Sequence, residues 1–115
     1  MISTKGIALL HKVKEKILKN PRQLEMSTWD CGTAACIAGW MARIEGVYIP
    51  SSCFYLHEWR AYVRSSLGVT GSVSKLVSVS DWDQDLKEDY LLTTDINTRA
   101  KTACRAIDRF IAANK

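Results

Sequence analysis

The chain of 115 residues is poor in the residues that interrupt secondary structure, with only two Pro and six Gly. This scarcity leaves little room for linkers, and we find no internal repeat, so we expect a single helical domain over residues 1–115. No apolar run approaches the roughly 18 residues of a membrane span. The early apolar run Ile7–Leu10 ends at His11, too soon for the core of a signal peptide. We therefore expect a cytoplasmic protein without a membrane partner.

Cysteine and histidine are also scarce, at four and two residues. A domain of this length buries roughly two thirds of its unfolded surface, so its core needs neither a disulfide nor a metal. Cys31 and Cys36 have the spacing C-x4-C, whereas zinc knuckles and redox pairs use C-x2-C. The four Cys could form a zinc site with His11 and His57 only if distant positions converged. We expect no metal and no cofactor.

The charged residues are unevenly distributed, although the net charge is only +4. Residues 1–22 carry six basic side chains against Glu15, and residues 81–89 carry five acidic side chains against Lys87. We expect these two poles to attract each other within the fold or between two copies. A nucleic-acid strip needs Arg or aromatic residues interleaved with the lysines, which this segment lacks, so nucleic-acid binding is the less favoured alternative.

Apolar residues recur at helical spacing along most of the chain, which predicts an all-α fold. Two segments are ambiguous, because Val47–Pro50 has an extended pattern and Val73–Ser78 fits either a helical turn or a strand. Gly46 and Gly68 are suited to end helices. The pattern predicts a compact bundle of five or six short helices with room for one short extended segment. The predicted helices are Thr4 to Lys19, Thr33 to Glu45, Ser51 or Ser52 to Leu67, Ser80 through Leu91, and about Asp95 through Ile111.

The most specific feature of the chain is the sequence C-G-T-A-A-C-I-A-G-W at residues 31–40. We predict that Cys31, Gly32 and Thr33 lie at the N-terminal mouth of the second helix. Free backbone amides and the helix dipole favour a thiolate or a bound anion at such a position. Cys36 is predicted one turn further in, as a small buried apolar group.

This segment resembles small uncharacterised bacterial and phage proteins that share a C-G-T-x-x-C-x-A-G-W core. Residues 107–111, the pair Leu67-Gly68 and Trp82 at the start of the acidic stretch also match, so the similarity covers roughly residues 24–113. The chain differs by having Asp83 where those proteins have Pro, and by its basic first helix. The resemblance implies a helical fold and no particular activity.

Cys31 also suggests a thiol-dependent enzyme as a third interpretation. The segment is superficially similar to the C-G-S-C-W core of papain-like proteases, but two extra residues separate its cysteines. A cysteine hydrolase would need a base such as His57. That residue stands between Leu56 and Trp59 and beside Glu58, a setting typical of an ordinary, partly exposed histidine. We therefore predict no catalytic residue. Cys31 and His57 are the candidates for the less favoured enzymatic interpretation.

The acidic stretch has the spacing of a calcium loop at its beginning, where Asp81, Asp83 and Asp85 could be the first three ligands. Such a loop also needs Gly at its sixth position and Glu at its twelfth, where this chain has Leu86 and Leu92. An acidic helix start, favoured by the helix dipole, explains the same residues without a metal.

The four tryptophans are many for a chain of this length, and we expect most of them in the core. Trp29 is the one predicted to be exposed, beside Tyr48 and Tyr55, where it would mark a protein interface. The sequence therefore favours a non-enzymatic helical module that binds a protein, with self-association as one form. Its predicted binding residues are Trp29, Cys31, Gly32 and Thr33.

Overall fold

The computed structural model describes residues 1–27 and 35–115. This part of the chain contains six α-helices and no strand, so the predicted all-α bundle is confirmed. None of these six helices combines the length and the apolar character that crossing a membrane requires. The helices are α1 (Thr4–Lys19), α2 (Ile37–Glu45), α3 (Leu56–Leu67), α4 (Ser74–Val77), α5 (Gln84–Leu91) and α6 (Ile96–Ala113), with 3-10 turns at Pro21–Gln23, Cys53–Tyr55 and Val79–Asp81.

The two longest helices, α1 and α6, pack against each other, and α1 also contacts α2 and α3. The buried face of α1 carries Leu10, Val13 and Ile17, which follow the helical period and are inaccessible to solvent. Local signals set the beginnings of both helices. Ser3 caps α1 by accepting a hydrogen bond from a first-turn amide, and Asp95 caps α6 in the same way.

A glycine allows α1 to cross very close to the end of α3. A Cβ atom built on Gly6 would lie 2.8 Å from both the Cα and the carbonyl oxygen of Leu67. The amide of Ser3 donates a hydrogen bond of 2.9 Å to that same carbonyl oxygen. The crossing is therefore fixed by backbone atoms on both sides, which a side chain at position 6 would push apart.

Three buried tryptophans connect helices to the carbonyl groups of neighbouring segments. Each indole N–H donates a hydrogen bond to a backbone oxygen, so burial of the ring leaves no donor unsatisfied. The prediction that most tryptophans are core residues is confirmed for these three. The pairs are Trp40 with Gln23 at 3.1 Å, Trp59 with Pro50 at 2.9 Å, and Trp82 with Leu76 at 3.3 Å.

The second helix begins at Ile37, so its predicted start at Thr33 is wrong. Ala35 forms a parallel β-bridge with Leu24 instead, in which its amide donates to the Gln23 carbonyl at 2.9 Å. Cys36 follows with extended backbone as the N-cap of α2. The prediction that Cys36 lies one turn inside the helix is therefore also wrong, although the residue is buried, with 1% of its surface exposed.

The start of α5 also differs from the prediction. A 3-10 turn occupies Val79–Asp81, and the helix begins at Gln84 with Asp83 as its N-cap, not at Ser80. Trp82 lies between them with extended backbone and a buried ring. Docking of this ring against the core takes the backbone out of the helical conformation, which local capping signals cannot reveal.

Of the two ambiguous segments, residues 47–50 form neither a strand nor a helix. Ser74–Val77 forms a short helix, so the helical interpretation of Val73–Ser78 is confirmed and the strand is wrong. The helix predicted from Ser51 or Ser52 begins only at Leu56, after the 3-10 turn.

Both predicted glycine ends are confirmed. Gly46 and Gly68 follow α2 and α3 with φ of 70°, the left-handed conformation that glycine adopts without strain.

Candidate functional site

The four predicted binding residues, Trp29, Cys31, Gly32 and Thr33, lie outside the described residues. The residues on either side of them are described. The bridge between Leu24 and Ala35 brings these two flanks of the chain together.

The described thiols and histidines do not form a catalytic pair. His57 is exposed on α3 and forms no hydrogen bond with the thiol of Cys36 or Cys104, the two thiols whose side chains the structure describes. Cys104 is buried in α6, and this burial raises the pKa of its thiol to about 11. At neutral pH this thiol is protonated and is a poor nucleophile.

The acidic stretch is bound to the arginines of α6. Arg109 contacts Asp83 at 2.9 Å and Asp85 at 2.6 Å, and Arg105 contacts Asp89 at 2.9 Å. Hydrogen bonds from Arg109 lower the pKa of Asp85 to about 2. Among the described residues, no group of three His, Cys, Asp or Glu side chains is arranged to hold a metal ion. The carboxylates therefore connect α5 to α6.

The basic pole has a different environment from the one predicted. Within the described chain, its only ion pair joins Lys14 to Asp108 of α6 at 2.6 Å, so the expected contact between the two poles inside the fold is wrong. A contact between two copies stays a prediction. The exposed lysines of α1 lie within a sector of about 60° and over about 21 Å of helix length. We call them the lysine stripe, and they are Lys5, Lys12, Lys16 and Lys19.

Exposed apolar side chains are concentrated between α2 and α3, in residues 47–56, which we call the apolar connection. Five of the nine exposed large hydrophobic residues of the described chain lie in this segment. Phe54 is 88% exposed and Tyr48 is 86% exposed. Single exposed residues of this kind are normal on protein surfaces, whereas contiguous apolar patches are typical of interaction sites. The remaining exposed members are Val47, Tyr55 and Leu56.

The apolar connection is held in place by hydrogen bonds. Trp59 donates from its indole nitrogen to the carbonyl oxygen of Pro50 at 2.9 Å. Ser52 accepts at its carbonyl oxygen from the Tyr55 amide at 3.0 Å, and its hydroxyl accepts from the Phe54 amide at 3.3 Å. These bonds hold the 3-10 turn, so the aromatic ring of Phe54 is presented to solvent from a hydrogen-bonded backbone.

A cavity of about 240 Å³ lies next to this connection and shares Leu56 with it. Arg60, one turn further along α3, lines the same cavity. Its Nε atom is buried and has no hydrogen-bond partner, and no ion pair reaches this arginine from the described residues. Among the described residues, the other polar side chains that line the cavity are the hydroxyls of Ser27 and Ser78 and the thiol of Cys36.

A second cavity, of about 350 Å³, lies between α4, α5 and α6. Trp82 and Phe110 contribute to its apolar lining, and Lys75 and Arg109 contribute positive charges. Both cations are paired with Asp83, at 3.7 Å and 2.9 Å. This cavity therefore offers a ligand no unpaired charge, in contrast to the cavity that contains Arg60.

Sequence reasoning missed both Arg60 and the exposure of Phe54. The sequence predicted Phe54 within the third helix, whereas it lies in the 3-10 turn before α3 and is exposed to solvent. Arg60 follows Leu56 by four residues and Trp59 by one, at the border of the apolar face. A cation at that border is the only signal that could have drawn attention to it.

Comparisons with known proteins add no relative to this picture. No protein family matches the sequence, and neither a curated protein nor a solved structure shows significant similarity to the chain.

Proposed function

We propose that this protein is a non-enzymatic helical module that binds a protein partner through the apolar connection, with a second copy of the chain as one possible partner. The observation that carries this proposal is the near-complete exposure of Phe54 and Tyr48 in a hydrogen-bonded segment. Aromatic residues are enriched at the energetic centres of protein interfaces.

The order of the segment supports the same proposal. An exposed aromatic ring on an ordered backbone loses little conformational freedom when a partner covers it, so more of the contact energy becomes affinity. The side chains of Tyr55 and Leu56 extend the apolar surface beside Phe54, each with 39% of its surface exposed. The module acts in the cytoplasm under this proposal, which agrees with the buried, reduced thiol of Cys104.

The test replaces Phe54 with a photo-crosslinking phenylalanine analogue in the native cells. Any crosslinked protein, including a crosslinked dimer, is then purified and its affinity for the chain is measured. We expect Phe54→Ala to weaken binding by about 2 kcal/mol, roughly thirtyfold, as for a central interface residue.

Leu92→Ala is the matched control, because Leu92 is exposed to a similar extent, at 82%, and follows α5 in another part of the chain. Equal crosslinking from positions 54 and 92, or equal losses of affinity in the two alanine variants, would contradict the proposal.

A second candidate function, binding to the phosphate backbone of nucleic acid, is favoured by the lysine stripe. The acidic side chains that we expected to neutralise it are instead paired with α6. Four lysines on one face over about 21 Å resemble the electrostatic footprint of a non-specific binder.

Fluorescence anisotropy with duplex DNA tests this second candidate. We expect dissociation constants above roughly 1 µM at about 0.15 M salt, with a logarithmic salt slope of about −3 to −4. The variant Lys12→Gln should reduce the slope by about 1, whereas Lys101→Gln on α6 should leave it nearly unchanged. Binding that is insensitive to salt, or an equal reduction of the salt slope in the Lys12 and Lys101 variants, would exclude the lysine stripe as the binding site.

A further inference from the structure

The cavity beside the apolar connection is lined by one half-buried cation, Arg60, whose Nε–H group is buried without a hydrogen-bond partner. An arginine guanidinium carries a permanent positive charge in proteins. Buried polar groups in native proteins almost always have partners, and each exception requires an explanation. The buried Nε atom of Arg60 is such an exception in the described part of the chain.

The other side chains that line this cavity do not supply the missing acceptor. No carboxylate is found among its described lining residues. The chain pairs arginines with carboxylates elsewhere, as Arg105 and Arg109 demonstrate on α6. An acceptor for Arg60 would therefore have to come from outside this part of the chain.

We propose that the cavity receives the carboxylate of a Glu or Asp side chain of the protein partner, which pairs with Arg60. This inference rests on the proposed function, because Leu56 belongs to both the cavity and the apolar connection. A partner with apolar residues next to an acidic residue covers Phe54 and Leu56 while it neutralises Arg60. Charge complementarity between one guanidinium and one carboxylate selects this occupant.

The size of the cavity agrees with this occupant. A water molecule takes about 30 Å³ in the liquid, so the cavity of about 240 Å³ accommodates the five heavy atoms of a glutamate side chain beyond its Cα. A phosphate dianion fits the charge less well, because Arg60 is the only cation among the described lining residues. Inorganic phosphate is therefore a competing probe whose tighter binding would argue against a carboxylate site.

The first experiment uses blocked glutamate, N-acetylglutamate amide, as the probe, and its neutral analogue N-acetylglutamine amide as the control ligand. NMR follows the Nε–H resonance of Arg60 during each titration. We expect a saturable shift with blocked glutamate, with a dissociation constant in the range of roughly 1 mM, and binding of the neutral analogue at least about tenfold weaker. An absent shift, equal shifts with both ligands, or tighter binding of inorganic phosphate would overturn the proposal.

The second experiment compares Arg60→Gln with Arg64→Gln, which changes an arginine one turn further along α3. Arg60→Gln should abolish the response to blocked glutamate, and Arg64→Gln should preserve it. Because Arg60 lacks a partner in the free protein, Arg60→Gln should leave the melting temperature unchanged or raise it. A clear drop in melting temperature would mean that the cation is already paired, which would overturn the inference.

The crosslinked partner separates this inference from the proposed function. Loss of partner affinity in both Phe54→Ala and Arg60→Gln supports both proposals. Loss in Phe54→Ala alone preserves the protein-binding function and rejects the carboxylate in the cavity. If Phe54→Ala has no effect and the blocked glutamate still binds at Arg60, the pocket takes a free carboxylate and not a partner's side chain.

Discussion

Replacing Gly6 with alanine should destabilise the protein, although alanine is the better helix former. In an exposed helix interior this change is worth about 1 kcal/mol in favour of alanine. Here the new methyl group would meet the Cα and carbonyl oxygen of Leu67 at 2.8 Å. These are backbone atoms of the neighbouring helix, so they cannot move aside as a flexible side chain would.

The expected change in the free energy of unfolding is the cost of overpacking minus the gain in helix propensity. Overpacking costs about 1–3 kcal/mol, and the backbone nature of the contact places this site near the upper end. Moving α1 away from α3 would also stretch the hydrogen bond of 2.9 Å from the Ser3 amide to Leu67. After subtracting the gain in helix propensity, we expect Gly6→Ala to lower the free energy of unfolding by about 1–2 kcal/mol.

Urea unfolding, followed by circular dichroism, measures this quantity, and the slope with denaturant should remain unchanged. Two control variants separate the cost of the close contact at position 6 from the effect of exchanging glycine and alanine on the backbone. Gly71→Ala, where no atom lies within 4 Å of the added Cβ, should be neutral or slightly stabilising. Ala8→Gly, on the exposed side of α1, should cost about 1 kcal/mol from propensity alone. If Gly6→Ala proves as stable as the parent chain, the close crossing of α1 and α3 is wrong.

Two further predictions concern ionisable groups. The pKa of Asp85 is lowered to about 2 in the folded chain, so its pairing with Arg109 stabilises the fold above about pH 4 and is lost as the pH falls toward 2. Arg109→Gln should therefore flatten the dependence of melting temperature on pH between these values. An unchanged profile would show that the pair contributes nothing to stability. Because burial raises the pKa of Cys104 to about 11, this thiol should react with iodoacetamide far more slowly than free cysteine at neutral pH. Mass spectrometry of the labelled peptides measures the reaction at each cysteine. Rapid labelling of Cys104 would contradict its burial, whereas rapid labelling confined to Cys31 would support the thiol-enzyme interpretation.

The parts of the fold that were predictable from the sequence depend on local signals. The bounds of α1 agree with the prediction because Ser3 precedes it and Pro21 follows it closely. α6 begins at Ile96, next to the predicted start at about Asp95, and Gly46 and Gly68 end their helices as predicted. Each of these signals acts within about one helical turn, so no knowledge of the tertiary structure is needed.

The parts that were not predictable depend on contacts between distant residues. α2 begins late because Ala35 bonds to the backbone next to Leu24 rather than entering the helix. Nothing in the sequence around Gly6 indicates its close contact with Leu67. The same holds for Arg60, whose significance comes from a cavity formed by segments far apart in the chain.

The pairing of charges within the fold also determines what kind of partner the rest of the surface can bind. Arg105 and Arg109 occupy three of the acidic side chains of the acidic stretch, so the groups left without a counter-ion in the described chain include the lysine stripe and Arg60. The lysine stripe and Arg60 both favour an acidic partner, but they differ in how selectively they bind one acidic group over another. Exposed lysines attract any polyanion through screened, long-range forces. A cavity of about 240 Å³ admits only a small acidic group, and it lies next to apolar side chains that a nucleic-acid backbone would leave uncovered. Under the proposed function, selectivity should therefore reside at Arg60 and Phe54, and the lysine stripe should accelerate the encounter with an acidic partner.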